Sequence, residues 1–145
     1  MAPRPLVIET RQAIAAPPER VWAVFTDAAA WPTWSEVVQE VSAVPERWEP
    51  GERLAFRLRF GAAKVGFDVR LDEVVPAERV VWSSVRWTVT GTRTHTFTAT
   101  GEGTEVLDHK VFEHAFLPLR AFYPRGVIRR MSAAWLRDLA AEAAG

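Results

Sequence analysis

Residues 54–60, LAFRLRF, put Leu54, Phe56, Leu58 and Phe60 on one side of an extended chain and Arg57 and Arg59 on the other. Residues 65–72, VGFDVRLD, repeat the pattern, with Val65, Phe67, Val69 and Leu71 opposed to Asp68, Arg70 and Asp72. A period of two with one dry and one wet face is the pattern of antiparallel strands. Three more such segments follow: RVVWSSVRW (79–87), GTRTHTFTAT (91–100) and, after the turn GEGT, TEVLDHKVFEH (104–114). LVIETRQAI (6–14) reads as a first strand.

Two segments carry the helical period instead. After the proline break in AAPPER, Val21, Val24, Phe25 and Ala28 follow i, i+3, i+4, i+7 spacing. No Ser, Thr, Asp or Asn precedes this helix, so packing must hold its start. A second short helical piece covers AAAWPTW (28–34), limited by Pro32. At the other end, Ile128, Met131, Trp135 and Leu139 form a stripe, flanked by Val127 and Ala134, within residues 119–143; Pro124 and Gly126 disturb its first turns. Strands with one dry face and a terminal helix with one apolar stripe predict an α+β domain. In it, a curved antiparallel sheet of about six or seven strands wraps a long C-terminal helix, with two short helices after the first strand.

With 145 residues and no internal repeat, the chain reads as one domain, 1–145. Eighteen basic residues balance eighteen acidic ones, which leaves no field to gather nucleic acid. Cysteine is absent, so disulfides, thiolate chemistry and cysteine-ligated metals are excluded. The start MAPRPLVIET is too poor in apolar residues for a signal segment, and no apolar run is long enough to span a bilayer. The expectation is a cytoplasmic protein without stable membrane association, monomeric or homodimeric. The unusual feature is aromatic: seven tryptophans and eight phenylalanines.

Candidate chemistry comes from polar residues that alternation turns inward. With Phe97 inward, Arg93 and His95 share its face; with Val106 and Phe112 inward, Asp108 and Lys110 do too. Adjacent strands would then bring His95 near Asp108 in an apolar setting. An imidazole beside a carboxylate is an acid/base pair, and equally a structural ion pair. His95 and Asp108 are therefore the catalytic candidates. Ligand-binding candidates are the apolar and aromatic side chains around them, Trp34, Phe56, Leu58, Phe67, Val69, Trp82, Trp87 and Phe97. Arg93, Lys110, Phe122, Tyr123, Met131 and Trp135 complete the set. Trp22 is expected to anchor its helix to the sheet, whereas Trp31 and Trp34 are candidates for the cavity mouth. His109 and His114 point to opposite faces of a regular strand, and no other set has metal-site spacing, so neither a metal nor another cofactor is expected. Arg120, Arg125, Arg129, Arg130 and Arg137 read as a solvated face of the last segment, with contact to an anionic ligand head group or weak docking on lipid as the alternative.

Several phrases together resemble the START-like (SRPBCC) superfamily, in its polyketide cyclase/dehydratase and lipid-transport branch. IAAPPERVWAVFTDAAAWPTW is similar to the branch's first strand and helices, EPGERLAFRL to its third-strand entrance, and EVVPAERVVW to its E-x-x-P turn and strand. HTFTATGEGTEVLDHKVFEHAFLPL resembles its closing strands. The chain departs from the branch at Asp108, Lys110 and His114, where His, Glu and Gly are frequent. The resemblance implies the helix-grip fold, with a cavity between sheet and helix. It implies a small hydrophobic or aromatic ligand, polyketide-like or lipid-like, as partner. Two readings stay open: a cyclase or dehydratase using His95 and Asp108, and a carrier without chemistry; a co-chaperone-type interaction module is a third.

Overall fold

The computed structural model describes residues 5–86, 89–114 and 124–145. Trp87, Arg120, Phe122 and Tyr123 lie outside the described residues. Strand β1 (Leu6–Ile14) leads into helix α1 (Pro18–Thr26), a 3-10 turn (Ala28–Ala30) and helix α2 (Trp31–Trp34). Strands β2 (Val38–Ala43), β3 (Arg53–Phe60), β4 (Ala63–Val75), β5 (Arg79–Arg86), β6 (Val89–Thr100) and β7 (Gly103–His114) follow. Helix α3 (Arg125–Ala144) closes the chain. The strands form one antiparallel sheet of order β1-β7-β6-β5-β4-β3-β2, so α1 and α2 carry the chain from one sheet edge to the other. The fold is a helix-grip. No described helix is long and apolar enough to cross a membrane.

Helix α1 begins at Pro18 without a side-chain cap, as its sequence predicts, since its N-cap residue is Pro17, whose ring carries no hydrogen-bond acceptor. Its position comes from Val21, Val24 and Phe25, all buried. Ser35 ends α2 and accepts hydrogen bonds on Oγ from the backbone N–H groups of Val37 and Val38, each 3.1 Å, which turns the chain into β2. Arg20 of α1 donates to the carbonyls of Ala143 (3.3 Å) and Glu142 (3.4 Å), placing a cation at the C-terminal end of α3.

The stripe on α3 is broader than its sequence pattern. Ile128, Ser132, Ala134, Trp135, Leu136, Leu139 and Ala143 are buried, while Met131 is half-buried. Strand β4 runs to Val75, beyond the predicted end at 72, because a bulge between Leu71 and Glu73 resets the alternation and turns Val74 toward Val80. The largest apolar cluster joins Ile14, Phe25, Trp31, Leu54, Phe56, Leu71, Trp82, Phe97, Trp135 and Leu139; a second gathers Leu6, Ile8 and Ile128.

The GEGT turn sits against the β1–α1 corner. Gly103 has φ of +144°, and a Cβ there would lie 2.2 Å from the carbonyl oxygen of Ile14 and 2.9 Å from the Ala16 nitrogen. Next to it, Thr104 donates from Oγ1 to the Ala16 carbonyl at 2.7 Å. Gly103→Ala is expected to lower stability by about 3 kcal/mol. Gly101→Ala meets open space and should change it by less than about 0.5 kcal/mol. Urea unfolding midpoints of the two variants check both.

Candidate functional site

The inner face of the sheet is organised in rungs. Register sets Thr10, Asp108, His95 and Val80 side by side across β1, β7, β6 and β5. The next rung, two residues along each strand, holds Ile8, Lys110, Arg93 and Trp82. The four polar candidates from two strands thus meet on one face, under α3.

Asp108 is the centre of this group and is fully buried. Arg93 grips it bidentately, Nε to Oδ1 at 3.0 Å and Nη2 to Oδ2 at 2.6 Å. Lys110 donates from Nζ to Oδ2 at 3.0 Å and also to Ser132 Oγ on α3. Ser132 in turn donates to the Ile128 carbonyl at 3.0 Å. The Arg93 guanidinium lies over the rings of Trp82 and Trp135, 5.6 and 5.9 Å from their centroids. Ser132 carries no chemical signal in the sequence; only its i+4 spacing from Ile128 and i−4 spacing from Leu136 marks it as inward-facing.

His95 is enclosed completely, its ring 4.7 Å from Phe25 and 5.3 Å from Trp82 between centroids. The Trp135 indole N–H donates to its Nε2 at 3.1 Å, and Asp108 Oδ2 lies 3.8 Å from the same nitrogen. Because Nε2 accepts, a neutral ring carries its proton on Nδ1, which has no hydrogen-bond partner among the described residues. Burial holds this imidazole well below its ordinary pKa; Asp108 pulls it up, and the charges of Arg93 and Lys110 push it further down. For Asp108, burial pushes the carboxyl up. The Arg93 charge, then Lys110 and His95, and the Arg93 hydrogen bonds override this and hold it well below the usual carboxylate range. Burial and the Arg93 charge bring Lys110 down to about 8, against the pull of Asp108.

The other candidates divide by depth. Phe56, Val69, Trp82, Phe97 and Trp135 are buried to 4% exposure or less and belong to the core. Phe25, Trp31, Phe56, Trp82, Phe97 and Trp135 are linked ring to ring at centroid distances of 4.9–6.3 Å. Trp31, a candidate for the mouth, is inside this packing because the 3-10 turn swings it inward and its indole donates to the Phe25 carbonyl at 2.9 Å. Trp34 is half-buried and stacks on Trp135 at 5.1 Å. Trp22, expected as an anchor, packs edge-on against Phe97 at 5.6 Å.

Beyond the Trp82–Arg93–Lys110 rung, Leu6 is still buried against Ile8 and Ile128 at the β1 edge, while the rest of the inner face is less covered. Leu58 pairs with Val65, Ser84 with Gly91 and Gly91 with Phe112, and all of these residues are partly exposed, as are Phe67 and Met131. Met131 precedes Trp135 by four residues on α3, one turn farther along the same helix face. The β4–β5 ladder runs from Arg70↔Ser83 to Val75↔Arg79. Beyond it lies an open groove of about 510 Å³, lined by Ser42, Phe56, Arg57, Gly66, Phe67, Asp68, Ser84 and Val85. The groove does not reach the charged group, yet Phe56, Phe67 and Ser84 belong both to it and to the inner wall.

Two stability measurements follow from this electrostatics. Asp108→Ala leaves two cations facing each other in the core and should cost about 3–5 kcal/mol, read from urea unfolding. For His95, the folded pKa lies below the unfolded value of 6.5, so its stabilisation is complete above pH 6.5 and is lost as pH falls below it. His95→Gln should flatten the decline in stability on the acid side of that value, by at most about 1.4 kcal/mol per pH unit.

The family described as polyketide cyclase/dehydrase and lipid transport matches residues 5–144. No curated protein matches the sequence. Among solved structures, the fold is similar to the Zhui aromatase/cyclase from Streptomyces sp. R1128, with TM-score 0.82 and 16% identity over 97% of this chain and 94% of that one. TTHA0849 from Thermus thermophilus superposes with TM-score 0.79 and 19% identity, covering 95% of this chain and 97% of that one. The di-domain ARO/CYC BexL from the BE-7585A biosynthetic pathway gives 0.75 and 16%, with 97% of this chain matching 50% of that one. At these identities the likeness is one of fold. The family match, which runs over almost the whole chain, goes further: this protein belongs to the polyketide cyclase/dehydrase and lipid transport family.

Proposed function

We propose that the protein binds a small hydrophobic or aromatic ligand, polyketide-like or lipid-like, between the outer part of the sheet's inner face and α3. The observation that carries this reading is the change in burial along that face. Up to the Trp82–Arg93–Lys110 rung the side chains fill the space; beyond it Leu6 stays buried at the β1 edge, but Leu58, Val65, Phe67, Gly91, Phe112 and Met131 keep partly exposed surfaces. A concave apolar wall with a few polar groups at one end is the usual form of a small-molecule site. Family membership supports the same reading, and Leu58, Phe67, Arg93, Lys110 and Met131 are the proposed contacts.

The burial of His95 and Asp108 bears on the choice between cyclase and carrier. A general acid or base must reach the proton it moves. His95 is enclosed, with its Nε2 engaged by Trp135, and Asp108 is engaged by two cations. Their geometry supports a role in holding Arg93 and Lys110 at the floor of the space rather than direct proton transfer. The binding reading therefore leads. The cyclase or dehydratase reading is second, favoured by the family, and would fall to Arg93 and Lys110, the polar groups of the site that keep some exposure.

The test uses 1-naphthol as probe and quenching of the intrinsic tryptophan fluorescence as readout. Saturable binding is expected. Met131→Trp, which fills the space, should weaken it at least about tenfold, while Val7→Ser on the outer face should leave it unchanged. Equal binding by the Met131→Trp variant, shown by its thermal transition to be folded, would place the ligand elsewhere.

A further inference from the structure

The charged floor does not balance. Arg93 and Lys110 each bring a positive charge, Asp108 brings one negative charge, and His95 is neutral. Among the described residues, the elements around them add no second carboxylate on the inner face. The inward residues of β1 are Leu6, Ile8, Thr10, Gln12 and Ile14; β5 contributes Val80, Trp82 and Ser84; and α3 contributes Ile128, Met131, Ser132 and Trp135. Of the other acidic residues on the nearby strands, Glu9 and Glu105 pair on the outer face with His109 and Arg11, and Glu113 is exposed. One positive charge is left over in a setting where Arg93 is only 15% and Lys110 only 12% exposed. So little exposure gives water a small share in solvating it, and an unpaired charge in such a place is costly.

The donors that remain show where a counter-charge would sit. Arg93 uses Nε and Nη2 on Asp108, and its Nη1 has no partner among the described residues. Lys110 uses two of its three N–H bonds, on Asp108 and Ser132, and the third has no partner among the described residues. The two residues face each other across the β6–β7 ladder, and the next inward pair on these two strands, Gly91 and Phe112, is partly exposed. What lies exposed of them therefore borders the half-open part of the inner face.

We infer that the ligand of this space carries a carboxylate, seated on Arg93 Nη1 and Lys110 Nζ, with its apolar body against Met131, Phe67 and Leu58. The inference rests on the ligand-binding reading above. Two donors on adjacent strands suit the two oxygens of a carboxylate, and Asp108 holds both donors in place before the ligand arrives. The site thereby selects for an anion at the buried end of a hydrophobic molecule. A neutral molecule of the same shape would leave both donors unmet.

The experiment compares 2-naphthoate with its neutral shape analogue, 2-acetylnaphthalene, by calorimetry on the intact chain and on Lys110→Met. The variant keeps the Arg93–Asp108 pair and leaves the floor neutral. The native protein is expected to bind 2-naphthoate at least about tenfold more tightly than the ketone. Lys110→Met should bring the two within about threefold, mainly by weakening the naphthoate. Equal affinity of the two probes for the native protein would overturn the inference and leave the ligand-binding reading standing. A preference that persists unchanged in Lys110→Met would overturn the assignment of the seat. Failure of both probes to bind would overturn both readings together.

Discussion

A carboxylate with no exposure to solvent sits at the meeting point of β6, β7 and α3, and much of the molecule is arranged around it. Taken alone, burying the charge of Asp108 would be prohibitive. Arg93 from the neighbouring strand and Lys110 from its own strand make it tolerable, and Lys110 also ties the sheet to the helix through Ser132. Trp135 makes the second tie, donating to His95. Replacing such a group with apolar side chains is often neutral or stabilising, so its presence is weak evidence for stability as such. What it does is mark a level in the fold. On one side the aromatic rings close-pack, and on the other the same sheet face is left partly uncovered.

That division gives the architecture its functional meaning. A helix-grip sheet curls around its helix, and the space between them is either filled by side chains or left for something else. Here Trp31, Phe25, Phe56, Trp82, Phe97 and Trp135 fill the part nearest α1 and α2. The part beyond Arg93 and Lys110 is walled by Leu58, Val65, Phe67, Phe112 and Met131. In the proposed reading, the polar floor faces the apolar space that takes the ligand. The buried histidine fits this description better as a fixed neutral support than as a proton carrier, since burial and two nearby cations all disfavour its charged form.

The sequence made most of the fold legible because strand alternation is strict where one face is dry. β3 and the inward faces of β6 and β7 could be read residue by residue, including the juxtaposition of Arg93, His95, Asp108 and Lys110. β2 was not singled out, because its two inward valines, Val38 and Val41, are three residues apart and two register shifts interrupt its pairing with β3. The bulge in β4 hid that strand's true end in the same way. Site depth was far less legible. Nothing in the spacing of Trp31 and Trp34 says that a 3-10 turn sends one into the core and leaves the other half-exposed on Trp135. Nor could alternation tell which inward rings fill space and which border it, because that depends on how the sheet curls and not on the direction of any one side chain. Ser132 was missed because a serine in an apolar stripe shows its purpose only when its partner, here Lys110, is known.

The central claim is that ligand is held above the charged floor, against α3. Met131 offers a direct probe, since the chain has only two methionines and the other is Met1. With the methionine methyl groups labelled with carbon-13, titration with 2-naphthoate can be followed by nuclear magnetic resonance. The Met131 signal should move progressively and saturate, with the ring current of the bound probe, while Met1 stays in place. A Met131 signal that does not move while the probe is demonstrably bound would contradict the account.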